Sequence, residues 1–365
     1  MKKLLIILVL LLLFVLLVSG AGKVNPDKPL KGEWDLKPVS VWTVTGAGEE
    51  TFSRPEIVVA GDGTLCAWDW KNRSSYLFDD YGKFKKAFGK RGEGPGEMRW
   101  HLNTLFAGDK MVTVDMDRLH FFTRDGEYLR SEVSMFGLSE PLFFLDENVF
   151  VSGTVSRFMD GKGEIARVNL KTRKKTLVRE FEVFEKGKRR SGPDVTLVGL
   201  SPMVVTAYDA ANRKIYYGIS NSYVIHSIDP DGNLLDTFSL ERQKKTVSME
   251  EKIRELKIMD PSGPVKDIAK ALPDELVYFH RIQVVNGLIY LFTGNFGIHW
   301  ESQQIDIFSQ DGTYLYRTVF KPAEGENIYF AVHCIQIQNG HLYVILEDDD
   351  GEVKITKYKI NLPKV

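Results

Sequence analysis

Residues 55–88 decide the fold. Glu56-Ile-Val-Val-Ala60 is an apolar run, and Asp62-Gly63 turns it. Leu65-Cys-Ala-Trp-Asp69 is a second run, followed by the polar stretch Lys71-Asn-Arg-Ser74. Ser75-Tyr-Leu-Phe-Asp79 is a third, turned at Tyr81-Gly82, and Lys83-Phe-Lys-Lys-Ala-Phe88 is a fourth. Asp-Gly and Asn-Gly pairs between short β-rich runs are the strongest local hairpin signal. The stretch therefore reads as a four-stranded antiparallel meander.

The punctuation recurs along the chain, and regular recurrence marks a repeat architecture. A second unit spans Asn103 to Val133, with turns at Gly108-Asp109 and Asp125-Gly126. A third spans Pro141 to Phe181 and a fourth Met203 to Leu240, the latter turning at Asp231-Gly232. A fifth spans His280 to Phe320, turning at Asn286-Gly287 and Asp311-Gly312. The sixth supplies only three strands, Phe330–Gln338, His341–Glu347 and Glu352–Ile360. Far upstream, Val39-Ser-Val-Trp-Thr-Val-Thr45 has no hairpin partner. Pairing it with Glu352–Ile360 completes the sixth unit and hides two exposed strand edges. The expected fold is thus all-β: a six-bladed β-propeller with four antiparallel strands per blade, closed by an N-terminal strand. Helices are too scarce for an α/β sheet, which needs one between successive parallel strands.

Composition agrees. The 365 residues are 43% hydrophobic and 27% charged, so the chain is not a disordered one. Its aromatics, 22 Phe, 14 Tyr and 6 Trp, favour strands. Lys and Arg number 48 against 49 Asp and Glu, giving a net charge of −1, so no overall basic field draws nucleic acid. Two cysteines, Cys66 and Cys334, are too few for a disulfide framework or a four-Cys zinc site. They read as small buried hydrophobes or as a single bond between neighbouring blades.

Lys2 and Lys3 precede the apolar run Leu4 to Val18, and Ser19-Gly-Ala21 follows. Residues 1–21 therefore read as a secretory signal cleaved after Ala21, or as a retained membrane anchor. Either places the mature chain outside the cytoplasm, in the periplasm, secreted, or held at a membrane. Residues 22–38 are polar, carry Pro26 and Pro29, and read as a tether. The propeller then occupies 39–365.

Residues 78 to 129 resemble the NHL-type six-bladed propellers. The resemblance rests on the glycine-rich connector Phe88-Gly-Lys-Arg-Gly-Glu-Gly-Pro-Gly-Glu-Met98, and on Met111–Asp115, Arg118–Phe122 and Asp125–Leu129. It implies exported bacterial propellers of unassigned function. The connector precedes a strand and not a helix, so it lacks the dipole that phosphate loops use. Gly92, Gly94 and Gly96 are expected to give it positive φ.

Strand parity separates two faces. Links between first and second strands, and between third and fourth, are short. The other links hold every long insertion: Gly89–Leu102, Ser156–Gly163, Glu182–Ser201, Glu241–Phe279 and Thr293–Gln303. The longest is helical, at about 247–272 between blades 4 and 5. Ser248 and Glu251 make a capping box, Asp260-Pro261 stops the first helix, and Pro264 opens a second with Val265, Ile268 and Leu272 on one face.

Loops on a rigid scaffold carry function. The candidate binding residues near the channel mouth on this elaborated face are Arg54, Arg91, Trp100, His101, His280, Arg281, His299 and Trp300. Arginine forks and aromatic faces suit an anionic or sugar-like ligand. His101, His280, His299 and His333 could also be gathered round a zinc ion, but no His-x-x-x-His pair or protease motif is present. Lys186, Lys188, Arg189 and Arg190 read as a solvated basic loop. No Gly-x-Ser-x-Gly elbow supports a serine hydrolase. The sequence therefore favours a non-catalytic, monomeric recognition module for a peptide, glycan or protein, with no cofactor, no metal and no nucleic-acid partner. A metal-assisted lyase or hydrolase at the channel mouth is the alternative.

Overall fold

The computed structural model describes residues 22–115, 117–133, 140–155, 162–182, 199–200, 202–259, 262–297, 299–329 and 334–363. The apolar run 1–21, His333, Asp260-Pro261 and the basic residues Lys186, Lys188, Arg189 and Arg190 lie outside the described residues.

The chain folds as a six-bladed propeller of antiparallel four-stranded sheets. Blade 1 is Pro55–Val59, Leu65–Asp69, Ser74–Phe78 and Phe84–Phe88. Blade 2 runs from Asn103–Ala107 to Tyr128–Val133, blade 3 from Glu140–Asp146 to Lys174–Glu182, and blade 4 from Val204–Asp209 to Leu234–Glu241. Blade 5 is Phe279–Val285, Leu288–Thr293, Gln303–Ser309 and Tyr314–Phe320. Blade 6 has Ile335–Gln338 innermost, then His341–Asp348 and Val353–Lys359. Val39–Val44 supplies its fourth strand, antiparallel to Val353–Lys359 with Val39 opposite Lys359 and Val44 opposite Ile355. The ring closes between the two ends of the chain. Trp42 Nε1 donates to the Asp80 carbonyl at 2.9 Å, which ties the closing strand to blade 1.

Burial explains the sequence pattern. Middle strands are covered on both faces by neighbouring blades, so they read as continuous apolar runs and not as alternation. Every residue of Leu65–Asp69 and of Leu288–Thr293 is buried. The core is a ring of seams rather than one centre. Cys66, Leu77, Phe88, Met111 and Phe122 fill the seam between blades 1 and 2. Val151, Ile165, Ile215, Tyr217 and Ile228 fill that between blades 3 and 4. Cys334 packs in the large cluster around blade 6, so both thiols are buried in different seams and are not bonded to each other. Inner strands are also hooked together: the Gln336 amide donates to the Val59 carbonyl and accepts its N–H, at 3.1 and 3.0 Å.

Turn chemistry matches the hairpins. Asn286 and Gly287 both adopt positive φ, 50° and 74°, as a type I′ turn requires. The glycine-rich connector differs from expectation in detail. Positive φ falls at Gly89 (60°) and Gly96 (76°), not at Gly92 and Gly94. Those two lie under the Glu97 side chain. The Glu97 carboxylate folds back to accept the Gly94 N–H at 3.0 Å, and a Cβ on Gly92 would collide with it.

The segment 22–38 is no free tether. Lys23–Pro26 pairs in parallel with the outer strand of blade 4 as a fifth strand. Buried Asn25 donates to the Ser239 and Gly312 carbonyls and accepts the Tyr314 N–H, each at 2.9 Å. Leu30, Lys31 and Trp34 then donate backbone N–H groups to the outer strand of blade 5. Unpaired edge groups of two blades explain why a polar segment lies down there.

Between blades 4 and 5 stand helix α1 (Met249–Met259) and helix α2 (Val265–Ala271). Ser248 and Glu251 form the capping box in both directions, at 2.8 and 3.2 Å. Val265, Ile268 and Leu272 are buried with Leu200, Val247, Leu256 and Leu276, so the helical flap has its own small core. No helix among the described residues is long and apolar enough to cross a membrane.

Candidate functional site

Two buried aspartates fix the chain that leads into the inner strands of blades 1 and 2. Asp69 ends the second strand of blade 1 and is fully buried. One carboxylate oxygen accepts the N–H groups of Ser53 and Arg54 at 2.7 and 3.1 Å. The other accepts those of Lys71 and Asn72 at 2.9 and 3.0 Å. Asp115 does the same after the second strand of blade 2, taking Arg99 and Trp100 N–H at 2.9 and 2.8 Å. A buried carboxylate is tolerable only when so satisfied. In blade 4 the neutral Ser220 hydroxyl takes this place, accepting the Met203 N–H at 2.9 Å. Ser53, Arg54, Arg99, Trp100 and Met203 all belong to chain entering an inner strand, while Lys71 and Asn72 lie in the turn after the second strand of blade 1. The Arg54 and Trp100 side chains project from these fixed points and stay exposed, Trp100 by 56%. Arg99 is paired with Asp117 at 2.6 Å.

The expected site residues fall into two groups and one outlier. On blades 1 and 2, His101 is buried and stacks on Trp68 at 4.0 Å, with its Nε2 bonded to the Thr104 hydroxyl at 2.8 Å. Trp70 lies edge-on to Trp68, His101 and Trp100, and its indole N–H donates to Glu56 at 3.0 Å. A cavity of about 10 Å³ beside Glu56, Trp68, His101 and Thr104 has room for about one water molecule.

The second group runs across blades 5, 6 and 1. The connectors here form a small sheet, in which His299–Trp300 pairs with Glu326–Tyr329, and that pairs with the second strand of blade 6. His299 Nε2 bonds Glu347 at 2.7 Å and its ring faces Tyr329 at 6.0 Å. Burial lifts the Tyr329 phenol, and nearby Arg54 opposes the rise. Trp300 is buried, donates to the Gly297 carbonyl at 2.9 Å, and sets its edge against His280 at 5.1 Å. His280 Nδ1 bonds the Thr293 carbonyl at 3.1 Å, which requires the proton on Nδ1. Burial pushes its pKa down to about 4, so the ring is neutral at pH 7. Arg281 lies beside Cys334, and burial lowers it to about 10. Arg91 is exposed in the glycine-rich connector, its backbone N–H on the Arg73 carbonyl, and joins neither group.

His101, His280 and His299 each serve a different local partner. No cluster of three or more His, Cys, Asp or Glu able to hold a metal occurs among the described residues. Burial pushes the Cys66 thiol up to about 12, which removes its nucleophilic form. Trp68, Trp70, Tyr329, Glu347 and the two aspartates were not picked out from sequence. Strand parity was the available signal, since Trp68-Asp69-Trp70 and Glu347 sit where second strands reach the elaborated face.

No family model matches the chain, and no curated protein matches it. Solved structures do. A member of the DUF4221 family from Bacteroides vulgatus superposes with a TM-score of 0.56 at 12% identity, over 90% of this chain and 99% of that one. A Bacteroides fragilis protein inferred to be exported superposes at 0.55 and 12%, over 94% and 100%. At such identity the likeness establishes the fold alone.

Proposed function

We propose that the chain is an exported propeller of the NHL type that recognises a peptide, glycan or protein at its channel mouth, without catalysis. Export rests on the basic-then-apolar run at residues 2–18 with small residues after it. The NHL reading rests on residues 88–98, which join the outer strand of one blade to the inner strand of the next.

One observation carries the recognition reading. Asp69 and Asp115 commit buried charge to fixing the backbone of Arg54 and Trp100, whose side chains then stand exposed, Arg54 beside the Tyr329 phenol and Trp100 edge-on to Trp70. Preorganised arginine and tryptophan are favoured anchors in binding sites. Their chemistry suits acidic glycans and acidic peptides, through forked hydrogen bonds and ring stacking.

The test is a screen of acidic oligosaccharides and acidic peptides on the full chain, repeated on Arg54→Ala and Trp100→Ala. A hit that both variants lose, at unchanged melting temperature, is the expected result. A hit that both variants retain would place recognition elsewhere.

A further inference from the structure

We propose a second binding site, for a small organic acid, in the cleft between blades 4 and 5 at the foot of the helical flap. The proposal is independent of the channel mouth. The cleft measures about 190 Å³, more than the roughly 150 Å³ that admits a benzene ring. Leu276, Val277, Tyr278, Thr293, Gly294 and Gln304 line it. Arg242, Lys244, Lys245, Arg317 and Asp27 supply its charge.

The cleft already holds a carboxylate belonging to the chain. Asp27 Oδ1 accepts from Arg242 Nε and Nη2 at 2.9 and 2.7 Å, and from Arg317 Nη2. Beneath, buried Asp306 accepts two more Arg242 bonds, at 2.5 and 3.2 Å. Tyr223 and Tyr314 hydroxyls each donate to Asp306 at 2.6 Å. The guanidinium planes are thereby fixed before any ligand arrives, and a preorganised site loses less on binding.

Charge decides the ligand's sign. Four cations face three carboxylates: Asp27, Asp306 and Glu275, which holds Lys244 at 2.8 Å. One positive charge remains. Lys245 carries it, exposed on the cleft wall with no ion pair among the described residues. A ligand carboxylate settles against Lys245 and Lys244 beside the arginine pair. Its carbon skeleton lies along Val277 and the Tyr278 ring.

The experiment is titration of succinate into the full chain, with neutral succinamide and inorganic phosphate as comparators. Saturable succinate binding is expected, weakened by added salt because charge drives it. Lys245→Ala, which removes an exposed side chain and no contact of the fold, should weaken succinate about tenfold. Asp27→Asn should tighten it, since a competing negative charge leaves the cleft. Succinamide should not bind. Three outcomes would overturn the site: no saturable succinate binding at millimolar concentration in wild type and Asp27→Asn alike, unchanged affinity in Lys245→Ala, or binding of phosphate with none of succinate.

Discussion

The segment leading into blade 1 does two different jobs at two places on the ring. At blade 6, Val39–Val44 supplies a strand that the blade lacks, in an antiparallel ladder with Val353–Lys359. At blades 4 and 5, residues 23–34 add to sheets already complete, by a parallel fifth strand and by backbone bonds to Tyr314, Leu315 and Arg317. The first contact finishes the architecture. The second reinforces it through side chains, chiefly Asn25 and Asp27. A missing strand and a supplementary one look alike as hydrogen-bond ladders, yet their removal should differ in kind.

Truncation separates them most sharply. A chain beginning at Gly46 loses both contacts, exposes the Val353–Lys359 edge and uncovers the apolar cluster around blade 6. It should show no cooperative thermal transition. A chain beginning at Lys37 loses the reinforcement, with Leu36 and the Trp34 bond to Asn361, but keeps the closing strand, and should still melt cooperatively, at a lower temperature. Equal behaviour of the two truncations, by calorimetry, would erase the distinction.

Within the reinforced seam, Asp306 should matter far more than Asp27. Asp306→Ala leaves Arg242 only the part-exposed Asp27 and takes the buried acceptor from the Tyr223 and Tyr314 hydroxyls, and breaking a buried pair costs about 3–5 kcal/mol. Asp27 is 36% exposed and water can replace much of what it offers, so Asp27→Ala should cost only about 1 kcal/mol. Urea unfolding gives both values. An Asp27 effect as large as that of Asp306 would mean that the leading segment is the true anchor of the seam.

The contrast also explains what the sequence could disclose. Counting strands exposes a vacancy, so the partner of Glu352–Ile360 is legible as the one unpaired run, Val39–Thr45. Nothing marks a surplus strand. Lys23-Val-Asn-Pro26 has no alternation and no turn, and its role depends on edges in blades 4 and 5 more than two hundred residues away. The candidate site divides in the same way. Arg54 and Trp100 are legible from strand parity, because inner strands begin at the elaborated face. The burial of His101 and Trp300 is not, because it comes from Trp68 and His280 on other strands. Asp69 shares an elementary signal with Asp115, a carboxylate ending a second strand, but its partners lie 15 and 16 residues back in a connector.

Acid probes the joint between blades 5 and 6. His280 has its pKa lowered from 6.5 to about 4, so the unfolded chain binds the extra proton first. Stability from this group is complete above pH 6.5 and is lost as pH falls towards 4, by up to about 3 kcal/mol. Buried His120 and half-buried His226 shift in the same direction. His280→Gln should therefore flatten part of the stability profile between pH 6.5 and 4. A profile identical to wild type would show that His280 is protonated in the folded chain without penalty.

The smallest effect is expected at the mouth, and there smallness is the informative result. Asp69 and Asp115 hold the backbone of Arg54 and Trp100. The two side chains are exposed, and exposed substitutions away from caps and buried networks usually shift stability by less than about 0.5 kcal/mol. Arg54→Ala and Trp100→Ala should each stay within that range in urea unfolding. Asp69→Ala should not, because it frees four backbone N–H groups at once, a loss of about 2–3 kcal/mol. The pairing is therefore asymmetric: the carboxylates belong to the fold, and the arginine and tryptophan are what the fold presents. A loss in Trp100→Ala comparable to that in Asp69→Ala would show instead that Trp70 and Trp100 are one packed unit. Trp100 would then be a structural cover over blades 1 and 2 rather than a binding surface.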